Sequence, residues 1–281
     1  MRRGYIVVFG NEKGGSGKTT SAVHLISGLL WAGFRVASLD LDGRQQSLTR
    51  YLENRAATAA AEGVDLLCPT HEVITASTAD SARQARREDT MALAERLSRL
   101  AAAHDFVVID CPGSDAHLSR AAHRVADTLV TPINDSLLDL DMVVRLDAAG
   151  KTFVAPGAYA VMVVEQRRAR LARGGAGMDW IVLRNRMSPL GSRNSTMIGE
   201  TLDRLSAVVG CRIARGVRDR VIYRQLFLRG LTVLDLTREP AKGKRPASAE
   251  TEASLAAARD EVRHLLDDLW LPSLSRRLGR L

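Results

Sequence analysis

The sequence is poor in aromatics, has few cysteines and contains no long apolar run. Aromatics make up 4% of 281 residues, which argues against a base-stacking platform of the RNA-recognition type. Cys68, Cys111 and Cys211 lie far apart and leave no C-x-x-C spacing. That excludes zinc-ribbon and thioredoxin-like chemistry and gives no disulfide framework. No two of the six histidines stand in H-x-x-x-H spacing, so a helical zinc signature is missing. Nothing approaches the ~20 consecutive apolar residues of a bilayer span. The run Tyr5–Phe9 after Met1-Arg2-Arg3-Gly4 is too short for a signal core, and no small-residue cleavage site follows it. A cytoplasmic location is therefore expected.

What is present is an ordinary globular balance, 46% hydrophobic and 26% charged, in a chain long enough to bury a large core. We expect a single domain over 1–281, with an exposed loop or linker near 239–248 and a C-terminal helix over 250–270. The net charge of +8 is uneven: residues 166–224 hold 13 Arg, no Lys and four acids, an excess of +9. A cationic face of this kind suggests a polyanion, DNA first; a solvated Arg-rich surface is the plainer alternative.

Apolar runs alternate with helical periodicity. Strands are expected at Tyr5–Phe9, Arg35–Leu39, Phe106–Ile109, Thr128–Thr131, Trp180–Leu183 and Leu231–Leu236. Helices are expected over Lys18–Trp31, Ser47–Ala61, Met91–Ala103, Ala116–Ala126, Leu138–Ala149, Ser195–Val209 and Asp219–Leu228. Gly63–Glu88 is polar and reads as loop. The alternation predicts an α/β fold, a doubly wound, mostly parallel sheet with helices on both faces. Ligands of such folds bind at the carboxyl ends of the strands, and the motifs stand there.

The first motif is Lys13-Gly14-Gly15-Ser16-Gly17-Lys18-Thr19-Thr20, between a strand and a helix. Glycines let backbone N–H groups curl around phosphate, and the helix N-terminus favours negative charge. Lys18 supplies a point charge to β- and γ-phosphates, and the Thr19 hydroxyl is placed to ligate Mg2+. Glu12 stands where the strict P-loop pattern has its first glycine, and Lys13 is an extra lysine beside it. The second motif is Asp40-Leu41-Asp42. If the strand continues, both carboxylates share a face, so one can hold the Mg2+ shell, for which Asp40 is the candidate, while the other orients a water; a cap for the helix near Gln45 is the alternative. Asp110, after four apolar residues, has the form of a metal-supporting Walker B acid. Asn185 follows a strand and offers a carboxamide that can match an adenine edge, or serves as a turn residue.

Lys13-Gly14-Gly15-Ser16-Gly17-Lys18-Thr19 resembles the deviant Walker A motif of the ParA/MinD family of ATPases. Further matches run through Asp40-Leu41-Asp42 with Arg44-Gln45, Asp179–Arg186, Arg218–Arg224 and Gly230–Leu236; they are most similar to the division-site regulators within that family. The resemblance implies a P-loop NTPase fold and an ATPase using ATP and Mg2+. It implies two monomers sandwiching two ATP molecules, with Lys13 reaching the partner's phosphates, Asp42 supporting the attacking water, Thr19 and Asp110 serving Mg2+, and Asn185 at the adenine. It also implies an ATP-bound homodimer on nonspecific DNA, nucleoid-associated, recruited by a ParB-type partitioning protein and inhibiting FtsZ assembly, without stable membrane association. Arg193, Arg212, Arg215, Arg218, Arg220 and Arg224 are the DNA-contacting candidates by charge. A partitioning ATPase without action on FtsZ is the main competing reading. A membrane switch would need an amphipathic C-terminal helix, which Pro272 and Gly279 disfavour; a metabolic P-loop enzyme would have no use for the basic segment.

Overall fold

The computed structural model describes residues 3–150, 152–187, 193–237 and 249–274, and leaves out the side chains of residues 193 and 249–251. The expected linker at 239–248 and the end of the chain from 275 lie outside the described residues.

The strands are β1 (Tyr5–Phe9), β2 (Val36–Asp40), β3 (Thr70–Val73), β4 (Phe106–Asp110), β5 (Thr128–Asn134), β6 (Val144–Leu146), β7 (Phe153–Pro156), β8 (Asp179–Asn185) and β9 (Arg212–Ala214). The helices are α1 (Lys18–Trp31), α2 (Ser47–Glu62), α3 (Ala82–Ala103), α4 (His117–Val125), α5 (Leu137–Val143), α6 (Ala158–Leu171), α7 (Arg193–Val209), α8 (Val221–Phe227) and α9 (Ala249–Asp268). Seven strands form one sheet in the order β3-β2-β4-β1-β5-β8-β9, with every pairing parallel. β6 and β7 form a separate antiparallel hairpin.

Because both faces are covered, the central strands are continuously apolar and their residues alternate between two cores. Ile6, Val8, Val107 and Ile109 join the layer under α3, α4, α5, α6 and α7. Val7, Phe9, Phe106 and Val108 join the opposite layer, with Leu25 and Leu29 of α1, Leu48 and Tyr51 of α2, and Val262, Leu265 and Leu266 of α9. Among the described residues no helix is long and apolar enough to cross a membrane.

Several expectations need correction. Gly63–Glu88 is not all loop: Thr70–Val73 pairs with β2 as an edge strand, and α3 begins at Ala82, nine residues before the expected start at Met91. β5 runs on to Asn134 through Pro132. Its pairing with β1 stops at Phe9↔Val130, so the nitrogen of Pro132 faces a position where β1 offers no carbonyl. The helix expected over Leu138–Ala149 ends at Val143, and the chain enters the hairpin. Leu231–Leu236 is no strand: it is a turn and a 3-10 segment, Asp235–Thr237, whose apolar side chains fill the α1 layer. The last strand of the sheet is β9.

A buried chain of hydrogen bonds crosses the other layer. The Trp180 indole donates to Thr131 (3.0 Å), Thr131 meets Tyr159 (3.3 Å), and the Tyr159 hydroxyl donates to His123 Nε2 (2.9 Å). His123 Nδ1 donates to the Ser119 carbonyl at 2.5 Å. Burial pushes the His123 pKa down to about 4, so the folded protein holds it neutral. An unfolded histidine takes a proton below pH ~6.5. This contribution is therefore intact above that pH and is lost as the pH falls towards 4. Between pH 7.5 and 5 the loss should be about 2 kcal/mol. Urea unfolding at the two pH values should show it in the parent and much less in His123→Gln; equal slopes would refute the assignment.

Candidate nucleotide site

Strand register brings the motif residues together. Phe9 and Asp110 are paired across β1 and β4, and Asp40 and Asp110 across β2 and β4. The P-loop, the Asp40–Asp42 turn and Asp110 therefore leave the sheet along one carboxyl edge.

Asn11 anchors the start of the P-loop. Its Nδ2 donates to the Pro132 carbonyl (2.6 Å) and its Oδ1 accepts the Lys13 N–H (2.8 Å). Around Gly14 and Gly15 a side chain would meet nothing within 4 Å, leaving the loop concave. Gly17 caps α1 at φ +96°, where glycine is favoured. Thr20 follows in the first turn of α1, and Ser16 is buried with no partner for its hydroxyl. Gly113 of the β4–α4 loop approaches so closely that an added Cβ would sit 2.9 Å from the Gly14 backbone.

Lys18 folds over this loop and donates to the Lys13 carbonyl (2.9 Å). Burial lowers its pKa, opposed by Asp110, Cys111 and Asp42. With Gly14, Gly15, Thr19, Asp42 and Asp110 it lines a cavity of about 940 Å3. Thr19 donates to Asp110 Oδ2 (2.6 Å), while Asp110 Oδ1 is buried without a partner. Burial raises the Asp110 pKa to about 7, with Asp40 and Asp42 adding to the shift and Thr19 and Lys18 opposing it. An orphaned carboxylate oxygen beside a threonine hydroxyl suits a hard cation. Among the described residues no group of three or more His, Cys, Asp or Glu could hold a metal. Mg2+ here would thus take its remaining ligands from phosphate and water.

The two carboxylates of Asp40-Leu41-Asp42 separate, because β2 ends at Asp40. Asp40 is fully buried. Its oxygens accept the Asp42 N–H (2.9 Å) and both the N–H and hydroxyl of Thr49 (3.1 and 3.0 Å). The expected metal role does not suit a carboxylate so committed; Asp40 ties β2 to α2 instead. Asp42 turns into the cavity and accepts the Gln45 N–H at 3.0 Å.

Lys13 does not line the cavity that its own loop forms. Its Nζ pairs with Asp139 of α5, a nearly buried carboxylate. Asp139 also accepts the Asn134 N–H (3.0 Å) and the Ser136 hydroxyl (3.1 Å). Sequence reasoning missed this residue, although Ser136-Leu137-Leu138-Asp139 has the S-x-x-D spacing of a capping box, and Ser136 does accept the Asp139 N–H.

Asn185 ends β8. Its Nδ2 donates to the Ser16 carbonyl (2.9 Å), so one carboxamide donor holds the P-loop. It lines a second cavity of about 310 Å3 beside Gly17 and Thr20, walled by Arg218, Arg220, Tyr223 and Phe227. Glu261 of α9 organises that wall, accepting from Arg220 (2.7 and 3.1 Å) and from the Tyr223 hydroxyl (3.1 Å).

The expected DNA face is largely neutralised. Arg212 pairs with Asp179, donates to the Asp268 carbonyl (2.6 Å) and stacks over Trp270 at 4.0 Å. Arg215 pairs with Asp267 and Asp268, and Arg220 with Glu261. Arg224 pairs with Asp219 at 2.8 Å but keeps 58% of its side chain exposed. Arg218 stands 3.9 Å from Glu261 with 56% exposed. Arg193 opens α7, and its side chain is outside what is described. The +9 counted along residues 166–224 is thus offset in space by acids from elsewhere, chiefly α9.

A family model described as ATPase MipZ matches residues 5–273. The chain is 29% identical over 149 residues to the chromosome partitioning protein ParA of Myxococcus xanthus, covering 46% of this chain and 52% of that protein. The chain thus spans about half the length of that relative. It is 25% identical over 276 residues to the maintenance of carboxysome distribution protein A of Halothiobacillus neapolitanus, covering 96% and 98% of the two chains. In fold it is similar to a Cyanothece McdA–ATP complex, with a TM-score of 0.60, 18% identity and coverage of 97% and 100%.

Proposed function

The chain belongs to the MipZ family of ATPases, and from that premise we propose that it is an ATP-driven monomer–dimer switch. The observation that carries the proposal is the placement of Lys13. It projects from the phosphate loop yet pairs with Asp139 on the loop's far side. A lysine so placed is available to the phosphates of a second copy. ATP then favours the dimer because only the dimer lets Lys13 exchange Asp139 for phosphate, a differential affinity of the kind a switch needs.

In this reading the P-loop N–H groups and Lys18 hold the β- and γ-phosphates, and the cavity beside Asn185 takes the base. Asp42 orients the water that attacks the γ-phosphate, giving ADP and inorganic phosphate. Mg2+ held by Thr19 and Asp110 would neutralise developing phosphate charge. The ATP-bound dimer binds DNA without sequence preference, through arginines that stay exposed, such as Arg218 and Arg224. Pairing two copies doubles the phosphate contacts and steepens the salt dependence. A ParB-type protein as recruiter and FtsZ as target complete the proposal.

The test is mass measurement of the full chain with ATP and with ADP, followed by DNA anisotropy. Lys13→Ala should bind ATP and remain monomeric and off DNA. Asp42→Ala should stay dimeric with ATP while hydrolysis falls roughly a hundredfold or more. A Lys13→Ala protein that dimerises like its parent sinks the reading. A second reading keeps the ATPase cycle but positions cargo instead of acting on FtsZ. It is favoured by the near full-length similarity to the carboxysome distribution protein, and an FtsZ assembly assay separates the two.

A further inference from the structure

A second large cavity lies at the opposite end of β1 from the P-loop. It is a cleft of about 860 Å3 between the small-residue face of α3, the ends of α4 and α6, and Gly174-Gly175-Ala176. Its floor is apolar, with Ile6, Leu97 and Val125. Four arginines surround it, Arg3, Arg124, Arg170 and Arg173, and among the described residues no acid lines it.

These guanidiniums are under-neutralised. Arg3 and Arg170 share the single carboxylate of Asp127, at 2.7 and 2.6 Å. Arg124 donates to the neutral Gln166 carboxamide, at 2.8 and 3.0 Å. Burial and then repulsion from Arg173 push its pKa down. Among the described residues Arg173 has no carboxylate partner. The last turns of α3, α4 and α6 also face the cleft, each worth roughly half a negative charge. Together with Asp127 they leave the four arginines in excess by about one to two charges.

We propose that this cleft docks an acidic peptide segment of a partner protein, one that presents one or two carboxylates beside an aliphatic side chain. A bare phosphate would meet the charge but would lie against an apolar floor that satisfies none of its remaining lone pairs. The chain's own segments 238–248 and 275–281 carry Arg238, Lys242, Lys244, Arg245, Arg276, Arg277 and Arg280 against one acidic side chain, Glu239, a charge that does not complement the cleft. The Ala94–Ala102 wall offers about 12 Å of helix, room for a short segment. The site is remote from the nucleotide cavity and does not depend on the switch reading.

The experiment uses the full chain and a fluorescein-labelled hexapeptide of alternating Glu and Leu, read by anisotropy. Saturable binding is expected. Arg124→Gln with Arg173→Gln should weaken it at least tenfold, as should Ser98→Trp, which fills the cleft from α3. ATP binding should be unchanged in both, showing that they are folded. Absence of saturable binding overturns the proposal, and so does full affinity in Ser98→Trp. Equal binding of an all-Glu hexapeptide, or displacement by inorganic phosphate at millimolar concentration, would reduce the cleft to a simple anion site and overturn it as well.

Discussion

Replacing Gly17 by alanine is expected to lower ATP affinity about a hundredfold, close to 3 kcal/mol. Two costs combine. The residue sits at φ +96°, where an L side chain costs roughly 1–2 kcal/mol. The new Cβ would also stand 2.1 Å from Asn185 Nδ2, forcing that carboxamide away from the Ser16 carbonyl and giving up a bond worth about 1 kcal/mol. The loop carrying the phosphate-facing N–H groups then loses its tether to β8. Titration with a fluorescent ATP analogue reads the effect, and circular dichroism checks that the fold persists. Adding Asn185→Ala removes the overlap but neither the backbone strain nor the loss of the bond to Ser16, so it should restore little. A Gly17→Ala protein that binds ATP like its parent would mean that this loop is not the phosphate cradle.

The second large effect is on stability. Arg55 of α2 and Asp235 have side chains only 3% and 1% exposed and meet through two bonds, at 2.8 and 2.9 Å. Asp235 also accepts the N–H and hydroxyl of Thr232, at 2.7 and 2.9 Å. Arg55 donates to the carbonyls of Leu67 (2.8 Å) and Gly230 (2.9 Å). Burial alone would raise the Asp235 pKa, but Arg55 outweighs it and holds the carboxyl below its ordinary range. Asp235→Ala leaves a buried guanidinium without its counter-charge and should cost about 3–5 kcal/mol, a large share of the stability of an ordinary domain. Urea unfolding measures it. Arg55→Met combined with Asp235→Leu should recover only part of the loss, since an apolar pair removes the buried charge but leaves the Gly230 carbonyl and the Thr232 N–H without these partners. A midpoint for Asp235→Ala within error of the parent would show that the pair contributes nothing.

The same pair explains one limit of sequence reading. Leu231–Leu236 carries the β-branched, apolar pattern of a strand, yet Arg55 and the turn at Gly230 hold it as a loop whose apolar side chains pack on α1. Pattern reports burial there; it does not report a pairing partner. The opposite case is Thr70–Val73, a strand at the sheet edge, half-buried at most and therefore without an apolar signature. The central elements were legible because their burial is complete: β1, β2 and β4 read as apolar runs, and Lys18–Trp31 appears with the bounds its periodicity implies. At the site, Lys18, Thr19, Asp42 and Asp110 converge on one cavity as their spacing suggested. Asp40 does not, because a side-chain hydroxyl nine residues on, at Thr49, claims it. The basic segment shows a related limit, its +9 being partly offset by acids of α9. A charge count along the chain is blind to acids that folding brings from 50 residues away.

That pairing has a practical side. Glu261, Asp267 and Asp268 are all on α9, so the last described helix acts as an internal counter-ion for the body of the protein. A preparation truncated before residue 249 would keep Arg212, Arg215, Arg218 and Arg220 while losing those three acids, and would bare the apolar surface that Val262, Leu265 and Leu266 cover. Such a fragment should cling to heparin resin and to nucleic acid contaminants whether or not the intact chain does. Retention measured on shortened material would therefore report the missing helix rather than the native surface.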